Sequence, residues 1–379
     1  DSRADAAAPH AREALARRAA APSLSLDALA GAAIGLFPRY FDPVSRRPVT
    51  AEQGLARLAD WRERWFARRG PVVAVGFTRS KRELTRPYLG AAGRGALFLP
   101  GETPDLLARA AEAGANEIIA WSDSLSGAAE STARAAGLKV TRVEEGVLRA
   151  CASLAFDARA LHFDAARASD LETLLATRAF TDAERARGAR LRAAIVAASR
   201  AQTAPDLRAA AGARPVVLVV GQAPDETSRV LGGSPFVSNP DFLAAVRAER
   251  PDAFLVLTEP PRQTTGSGPA ARADASTLCD LILRDDRVGA LAAQADEVHV
   301  TTSLEGFEAL LRATPVSCWG LPFYAGWGLT NDKIACARRA RRLTIDELVV
   351  GAVGLYPAYL DPRSGVPCAA EDVLTKFVR

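Results

Sequence analysis

Two adjacent carboxylates, Glu144 and Glu145, precede Gly146 at the end of the apolar run "LKVTRVEEG" (138–146). Such a run predicts a buried strand, so both side chains should lie where this strand ends and a loop begins. A carboxyl pair in that position can supply an acid and a base, or a nucleophile. The same residues would also form an ordinary solvated turn, and the local sequence leaves both interpretations open.

A second polar group ends the predicted strand "EVHVTTS" (297–303) and directly precedes a predicted helix. The N–H groups and the dipole at a helix start attract phosphate and other anions, which makes Thr302 and Ser303 candidate phosphate contacts. Glu308 follows one helical turn later, where the ribose hydroxyl of a bound nucleotide could reach it. Alternatively, Thr302 or Ser303 simply caps the helix.

A glycine-rich loop, "GLPFYAGWGLTND" (320–332), carries three aromatic residues in a chain that is only 6% aromatic. Its glycines would let the backbone approach a sugar closely, with the rings of Phe323, Tyr324 and Trp327 against the apolar faces of that sugar. A packed loop is the alternative. Upstream, Gln222 ends the apolar run "PVVLVVGQ", where its amide could bind a ligand.

The composition is that of an ordinary globular protein, since 49% of the 379 residues are hydrophobic and 24% are charged. A chain of this length should form about two domains. The net charge of +4 is small and charges of both signs are interleaved, so nucleic-acid binding is not expected. The five cysteines form no CxxC pair, which argues against a zinc site or a disulfide framework. No apolar run approaches the ~20 residues that span a bilayer.

Short apolar runs alternate with Ala- and Arg-rich helical stretches, including a long one at 181–201. The predicted strands are 71–77, 95–101, 117–122, 138–146, 215–222, 253–260 and 297–303. This alternation predicts an α/β fold with two Rossmann-like domains and a cleft between them. Ligands of such sheets bind beyond the carboxyl ends of the strands, where the candidate residues stand. The segment "LHFD" is interpreted as a further strand, in which His162 is packed.

The end of the chain repeats its beginning. "LSLDALAGAAIGLFPRYFDP" (24–43) and "LTIDELVVGAVGLYPAYLDP" (343–362) share ten residues without a gap, with Ser25 and Thr344 as possible N-caps. Because the ends of modules recur when modules are duplicated, the first copy is expected to be the tail of an upstream module. The predicted divisions are an upstream tail (1–60), a first Rossmann-like domain (61–200), a second Rossmann-like domain (201–342) and a repeated helical tail (343–379).

The last part of the chain carries a resemblance to a known family. "TTSLEGFEALLRATPVSCWGLPFYAGWGLTND" (301–332) and "ARRARRLTIDELVVGAVGLYPAYLDPRSG" (337–365) resemble the KpsC family of bacterial capsular polysaccharide β-Kdo glycosyltransferases. The resemblance implies a GT-B-like fold and CMP-Kdo as the donor substrate, with no resident cofactor and no metal. It also implies transfer with retention, through an acidic nucleophile, to a Kdo-primed lyso-phosphatidylglycerol acceptor.

Two motifs of related CMP-sugar transferases have counterparts here. Their Asp/Glu-Asp-Gly motif corresponds to Glu144-Glu145-Gly146, and their Ser/Thr pair at a helix start corresponds to Thr302-Ser303. The resemblance therefore implies that Glu145 is the nucleophile or general base and that the helix start holds the phosphate of CMP. Glu145 stands where the family has Asp, and its extra methylene displaces the carboxylate by more than the ~0.5 Å tolerance of a preorganised site.

A third motif of the family, Lys-Pro-His-Pro, is replaced here by "TEPPRQT" (258–264). In this segment Glu259 would repel a CMP phosphate, whereas Arg262 could bind it through two parallel hydrogen bonds. His299, just before the predicted anion-binding turn, is a candidate contact for cytosine or phosphate, with a structural role as the alternative. The resemblance thus implies that the domain 61–200 holds the acceptor and the catalytic acid and that the domain 201–342 binds the CMP-sugar.

The partners implied are a CMP-sugar donor, a lipid-linked glycan acceptor and other capsule assembly proteins. The expected location is the cytoplasmic face of the inner membrane, where "ARRARR" (337–342) would meet anionic headgroups or form a solvated helix face.

Two other functions stay open. The departures at Glu145 and Glu259 would suit a degenerate, non-catalytic module that binds glycan or acts as a scaffold. A transferase for another CMP-activated acidic sugar, such as sialic acid, is the second.

Overall fold

The computed structural model describes residues 25–68, 70–148, 153–199, 204–223, 226–259, 275–284 and 288–374. The chain forms two compact units, residues 1–62 and residues 63–379. The described part of the first unit contains a short helix that widens into a π-helical turn, a two-stranded hairpin and the start of a longer helix. These elements are α1 (Leu26–Ala30), the π-helical turn Gly31–Leu36, β1 (Tyr40–Asp42), β2 (Arg47–Val49) and α2 (Ala51–Phe66).

The first lobe of the second unit is a five-stranded sheet with helices between its parallel strands. The strands are β3 (Val72–Val75), β4 (Leu97–Leu99), β5 (Glu117–Trp121), β6 (Lys139–Glu145) and β7 (Leu154–Asp157). The helical segments are α3 (Arg79–Thr85), the 3-10 segment Arg86–Arg94, α4 (Leu106–Glu112) and α5 (Gly127–Ala135). The spatial order is β4-β3-β5-β6-β7, with β7 antiparallel to β6 at the edge.

Burial on both faces explains why these strands are continuous apolar runs. All four residues of β3 are completely buried, and such strands need helices on both sides of the sheet. The helices start at capping side chains, since Thr78 accepts a hydrogen bond from the Lys81 N–H and Ser126 accepts one from the Ala129 N–H. The parallel order then brings the carboxyl ends of β3, β5 and β6 to one edge of the sheet.

Two helices, α6 (Asp170–Thr177) and α7 (Asp182–Ser199), separate the first lobe from the second in sequence. The second lobe is a parallel sheet with the order β10-β9-β8-β11-β12-β13, in which the strands are β8 (Val216–Val220), β9 (Phe254–Glu259), β10 (Leu281–Arg284), β11 (Glu297–Val300), β12 (Val316–Cys318) and β13 (Asn331–Asp332). Its named helices are α8 (Leu207–Ala211), α9 (Thr227–Leu231), α10 (Asn239–Glu249), α11 (Val288–Ala292) and α12 (Glu305–Leu311).

Each of the seven predicted strands is confirmed, because every predicted run contains one strand of the structure. The sequence reasoning missed β7, β10, β12 and β13, which are short and lie at or next to the edges of the sheets. The prediction of a strand at "LHFD" is wrong. His162 lies in a turn that follows β7, because Asp157 accepts hydrogen bonds from the N–H groups of Arg159 and Ala160 and turns the chain there. The domain boundaries proposed from the sequence stay predictions.

The repeated segment at the end of the chain packs against α7. It consists of α13 (Ile345–Val349), the π-helical turn Val350–Leu355, β14 (Tyr359–Leu360), β15 (Pro367–Cys368) and α14 (Ala370–Leu374). A reciprocal capping box between Thr344 and Glu347 starts α13. On the facing helix, Gly188 leaves no room for a Cβ atom against the carbonyl of Asp346, so the two helices approach each other closely.

The arginine-rich segment at 337–342 is not a helix, and its arginines differ in exposure, since Arg338 and Arg342 are exposed whereas Arg339 is buried. Arg338 and Arg339 both bind the carboxylate of Glu172 on α6, at 2.6 and 3.0 Å, and Arg339 is almost completely buried. Arg341 donates to the carbonyl of Arg178 at 2.6 Å. These contacts tie the segment to α6, so the predicted contact with lipid headgroups is not available to Arg339.

Candidate active site

A cavity of about 430 Å³ lies between the two lobes, at the carboxyl ends of strands from both sheets. From the first lobe it is lined by Gly76, Lys81, Trp121, Ser122, Asp123, Ser124, Glu144, Glu145, His162 and Phe163. The second lobe contributes Glu226, Thr227, Ser228, Thr302, Leu304, Pro322 and Phe323. The structure therefore brings Glu144, Glu145 and Thr302 to one cavity, although they are far apart in sequence.

Glu144 and Glu145 differ in their exposure although they are adjacent on β6. Glu145 is exposed, whereas Glu144 is half-buried. Burial is the largest influence on Glu144 and raises the pKa of its carboxyl above the ordinary 4.5, and the charge of Glu145 acts in the same direction. Hydrogen bonds from the Glu145 N–H, at 3.0 Å, and from the Ser122 side chain oppose this shift in part. The pair thus combines an accessible carboxylate with a carboxyl suited to proton exchange.

The residue that faces Glu144 has a strained backbone. Ser122 follows β5 with a φ of 50°, in the left-handed region that non-glycine residues rarely adopt. Its N–H donates to the Val143 carbonyl at 2.8 Å, and its own carbonyl accepts from Nη1 of the buried Arg142 at 2.9 Å. Arg142 is held in turn by Glu130 at 2.7 Å. Strain of this kind persists only where its surroundings enforce it, and it clusters at functional sites.

The cavity carries more acidic than basic groups among the residues that the structure describes. Its carboxylates are Asp123, Glu144, Glu145 and Glu226, and its cation is Lys81. The ammonium group of Lys81 lies 4.2 Å from the centroid of the Trp121 ring, a cation–π contact that orders the lysine at the first-lobe wall. An anionic ligand would therefore meet Lys81 on the side of the cavity that holds the glutamate pair.

The side-chain amide of Gln222 is hydrogen-bonded to other protein groups and is not free to bind a ligand. Its Oε1 accepts hydrogen bonds from the Thr302 N–H at 3.0 Å, from the Thr302 hydroxyl at 3.1 Å and from the Thr301 hydroxyl. Its Nε2 donates to Glu226 at 3.1 Å and to Ser228 at 3.3 Å. The prediction that its amide binds a ligand is not supported, because this buried side chain ties the end of β8 to the end of β11.

The predicted anion site at the start of α12 is also engaged by protein groups. The Thr302 N–H is taken by Gln222, and the Ser303 hydroxyl donates to Glu305, the first residue of the helix. Leu304 occupies the N-cap position without a side-chain hydrogen bond, so neither predicted cap forms. Thr302 lines the cavity through its side chain, whereas Ser303 is buried and its carbonyl accepts from the Tyr324 hydroxyl.

The aromatic loop is mainly a support for the cavity. Tyr324 and Trp327 are completely buried, so the prediction that their rings contact a sugar is wrong for this structure. The Trp327 Nε1–H donates to the Phe323 carbonyl at 2.8 Å, which satisfies the indole inside the core. Gly326 and Gly328 have φ values of 85° and 75°, so they permit the turns of the loop. Phe323 is the predicted ring that reaches the cavity.

Comparison with known proteins shows what this chain is similar to. Residues 188–359 match the family described as "Capsule polysaccharide biosynthesis protein". The chain is 28% identical to the structure of Thermosulfurimonas dismutans KpsC, beta Kdo 2,7 transferase, with a TM-score of 0.68 over 81% of this chain and 98% of that chain. These matches support the resemblance to KpsC-family capsule proteins that the sequence indicated. The two-lobed α/β architecture of this chain is GT-B-like, as predicted.

Two further similar proteins show how much of their length this chain covers. The structure of Thermosulfurimonas dismutans KpsC, beta Kdo 2,4 transferase, is 25% identical with a TM-score of 0.62, over 83% of this chain and all of that chain. The capsule polysaccharide modification protein LipA of Neisseria meningitidis serogroup A is 29% identical over 90% of this chain and 50% of LipA. The chain thus spans about half the length of this curated relative.

Two residues expected from the sequence to contact nucleotide do not line the cavity. His299 is completely buried, where its Nδ1 accepts from the Trp319 indole at 3.0 Å and its Nε2 lies 3.2 Å from Glu297. These contacts give it the structural role that the sequence left open. Glu308 packs beside Gly289. A Cβ atom added to Gly289 would lie only 2.8 Å from Oε2 of Glu308. Neither residue is therefore placed to bind a ligand in this cavity.

The segment that replaces the family's Lys-Pro-His-Pro motif is only partly described. Glu259 ends β9 and is buried there, paired in register with Arg284 of β10. Glu259 does not line the cavity. Arg262 lies outside the described residues, so the proposed contact between Arg262 and a CMP phosphate stays a prediction.

His162 lines the cavity, although the sequence predicted it as a packed residue of a strand. Its ring packs edge-on against the rings of Phe163, Phe323 and Tyr356, at centroid distances of 5.0, 6.0 and 6.1 Å. It therefore stands where the first lobe, the aromatic loop and the carboxyl-terminal tail meet. Lys81 and Trp121 were also missed as site residues. The one usable sign was their position, since Trp121 ends β5 as the glutamate pair ends β6, and Lys81 lies in the helix that follows β3.

Proposed function

We propose that this chain is a KpsC-type glycosyltransferase module that transfers Kdo from CMP-Kdo, with retention, to a Kdo-primed lyso-phosphatidylglycerol acceptor. The observation that carries the proposal is the pair Glu144 and Glu145 in one cavity with Thr302 of the opposite lobe. The likeness to two solved chains named as Kdo transferases supports the class of reaction. The product would be the Kdo linker between a capsule chain and its lipid.

Retention follows from two displacements at the same carbon. In the first, the Glu145 carboxylate attacks the anomeric carbon of Kdo, and the bond from that carbon to the phosphate oxygen breaks to release CMP. In the second, an acceptor hydroxyl attacks the same carbon and breaks the bond to Glu145, while the hydroxyl proton passes to the Glu144 carboxylate. Glu145 suits the first role because it is exposed to the cavity, and Glu144 suits the second because its raised pKa favours proton uptake.

Lys81 has a defined task in this scheme. CMP-Kdo carries a phosphate and a sugar carboxylate, and it must enter a cavity whose described residues include four carboxylates. Lys81, ordered by Trp121, is the described cation available to attract the donor. We therefore expect Lys81→Ala to raise the KM for CMP-Kdo more than it lowers kcat, and a glutamine at this position to behave similarly.

Peripheral contact with the cytoplasmic membrane face, where the lipid acceptor would be reached, is part of the proposal. In the part of the chain that the structure describes, none of the helices has the length and apolar character needed to cross a bilayer. With Arg339 buried, a basic contact between the segment 337–342 and headgroups would involve its exposed residues Arg338 and Arg342. Flotation with anionic vesicles would measure this contact directly.

The test is an assay of the purified chain with CMP-Kdo and a synthetic acceptor that ends in Kdo. We expect a product one Kdo heavier by mass spectrometry, with the anomeric configuration of the donor retained by NMR. Glu145→Gln should lower turnover by about 10³-fold or more, whereas Glu112→Gln, at an exposed position on α4, should leave it unchanged. Full turnover by the Glu145 variant would contradict the nucleophile role, and an inverted product would contradict retention.

A second function, binding without catalysis, is favoured by the engaged state of the second-lobe wall. The Thr302 N–H and the Ser303 hydroxyl, which were expected to hold the phosphate, already bind Gln222 and Glu305. Calorimetry with CMP separates the two functions. Saturable binding of CMP supports the transferase, whereas no heat of binding at millimolar CMP in a folded sample supports a scaffold. CMP-sialic acid, run in parallel with CMP-Kdo, tests the specificity for the sugar.

A further inference from the structure

The carboxyl-terminal copy of the repeat (343–362) contacts the first lobe beside the glutamate pair. Ala358 forms a two-way backbone bridge with Leu154 of β7, since the Ala358 N–H donates to the Leu154 carbonyl at 2.8 Å and the Leu154 N–H donates to the Ala358 carbonyl at 3.1 Å. In the β6–β7 pair, Leu154 is in register with Glu145. The bridge therefore adds a third segment to this strand pair at the level of Glu145.

Pro357, the residue before Ala358, lies against the end of β6. A Cβ atom added to Gly146 would collide with the side chain of Ser153 and would lie 3.2 Å from Cβ of Pro357. Gly146 directly follows Glu145, and its N–H donates to the Ser153 carbonyl at 2.8 Å. The missing side chain at Gly146 thus allows the repeat to approach the backbone that carries the glutamate pair.

Tyr356 holds the turn that follows β7. Its hydroxyl donates to Oδ2 of Asp157 at 2.9 Å. Oδ1 of the same carboxylate accepts from the N–H groups of Arg159 and Ala160, which starts the turn. The Tyr356 ring lies edge-on to the His162 ring, at a centroid distance of 6.1 Å. Tyr356 therefore contacts both the start of the turn and the residue that the turn brings to the cavity.

The Tyr356 hydroxyl is close enough to the cavity for the charge of Glu144 to act on it. Burial of this hydroxyl raises its pKa well above the ordinary 10, and the charges of Asp157 and Glu144 act in the same direction. The hydroxyl consequently keeps its proton at neutral pH and remains a hydrogen-bond donor to Asp157.

The amino-terminal copy (24–43) shows that the repeat itself does not need this hydroxyl. The hydroxyls of Tyr40 and Tyr359 each donate at 2.8 Å to the carbonyl six residues earlier, within their own copy. At the position of Tyr356, however, the amino-terminal copy has Phe37, and it still forms the π-helical turn and the hairpin. The Tyr359 hydroxyl thus serves the repeat, whereas the Tyr356 hydroxyl serves the contact with the first lobe.

We propose that Tyr356–Ala358 is part of the active site and that Tyr356 is a positioning residue for Glu144 and Glu145. The inference rests on the proposed function, which assigns the chemistry to these glutamates. By holding β7 through Asp157 and Leu154, the repeat fixes the strand that is paired with β6 and so fixes the carboxylates that β6 carries. Such fixation matters because a displacement of about 1 Å can cost about 10²-fold in rate.

The test compares two tyrosine variants in the Kdo transfer assay. Tyr356→Phe should lower kcat about tenfold. It should leave the KM for CMP-Kdo unchanged, because Lys81, the cation assigned to the donor, is ordered by Trp121 on β5. Tyr359→Phe is the matched control, since it removes a hydroxyl hydrogen bond of nearly equal length that stays within the repeat. This control should lower the urea midpoint at least as much as Tyr356→Phe and leave kcat unchanged.

Hydrogen–deuterium exchange gives a second measurement that needs no substrate. Peptides that contain β6 and β7 should exchange faster in Tyr356→Phe than in the parent, whereas in Tyr359→Phe they should exchange as in the parent. A parent chain that transfers no Kdo would contradict the proposed function, and the exchange result would still decide the positioning role.

Three outcomes would overturn the inference. The first is a Tyr356→Phe variant with the kcat of the parent. The second is an equal loss of kcat in both tyrosine variants, which would make the repeat a general stabiliser of the fold. The third is unchanged exchange of β6 and β7 in Tyr356→Phe, which would show that the hydroxyl does not hold these strands.

Discussion

Glu144 on β6 and Glu297 on β11 are both partly buried, one in each lobe, and their surroundings act on them in opposite ways. Burial raises the pKa of Glu144, and the neighbouring Glu145 raises it further. Burial also acts to raise the pKa of Glu297, but hydrogen bonds from His299 and Ser317 outweigh it and lower that pKa to about 2. The carboxylate away from the cavity is well satisfied, whereas the one that lines the cavity is not.

This difference extends to the two walls of the cavity. The first-lobe wall holds an under-satisfied carboxyl, an exposed carboxylate and the strained Ser122. In the second-lobe wall, Gln222 and the Tyr324 hydroxyl satisfy the polar groups at the end of β11. Reactivity is therefore concentrated on one side, and the other side provides a rigid support.

The largest loss of stability is expected when the hydrogen bonds of Gln222 in the second-lobe wall are removed. Gln222→Leu removes the acceptor of the Thr302 N–H and of the hydroxyls of Thr301 and Thr302, and leaves these buried donors without it. Since each unsatisfied buried donor costs about 1–3 kcal/mol, we expect a loss of more than about 3 kcal/mol in the free energy of unfolding. Urea denaturation measures it. Ser228→Ala, which removes a weaker partner of the same amide and the Ser228–Glu226 hydrogen bond, is the control and should cost about 1–2 kcal/mol, less than the Gln222 variant.

A smaller effect is expected at the first-lobe wall. Gly76 directly follows β3 with a φ of 80°, and a Cβ atom there would collide with Ser124, whereas Gly114 has a φ of 59° and open space around it. Gly114→Ala should therefore cost only backbone strain, about 1–2 kcal/mol. Gly76→Ala should cost the same strain plus displacement of Ser124, whose hydroxyl bonds the Val75 carbonyl. If urea denaturation shows the same loss of stability for Gly76→Ala and Gly114→Ala, then Ser124 can move aside without an energetic cost.

The smallest effect is the opposite pH dependence of the two glutamates. The pKa of Glu297 is lower in the folded state, so its contribution to stability is present above pH 4.5 and is lost as the pH falls from there towards about 2. The pKa of Glu144 is higher in the folded state, so its contribution is present below pH 4.5 and is lost as the pH rises through its folded value.

Denaturation of two variants across the pH range checks this contrast. Glu297→Gln should destabilise the protein at pH 7 and flatten the acid limb of the stability profile. Glu144→Gln should raise the free energy of unfolding at pH 7 while it lowers turnover, because it removes a charge whose burial is unfavourable. A Glu144 variant that is less stable than the parent at pH 7 would mean that the carboxylate is better solvated than its contacts indicate.

Much of the framework could be predicted because it depends on local patterns. Seven buried strands are visible as apolar runs, and the residues that end those runs include the glutamate pair and Thr302. The repeat is visible because duplicated segments keep their caps and turn residues. The KpsC resemblance and the GT-B-like fold follow from the same stretches.

What the sequence could not decide depends on contacts between distant residues. Gln222 and Thr302 both end strands, but only the packing of β8 beside β11 shows that they bind each other and not a ligand. Tyr324 and Trp327 look like sugar-stacking rings until the loop folds into the core. His162 looks like a packed strand residue until a turn brings it to the cavity. Residue type and spacing thus determined which strand ends carry chemistry, whereas only tertiary packing decided which side chains are already satisfied.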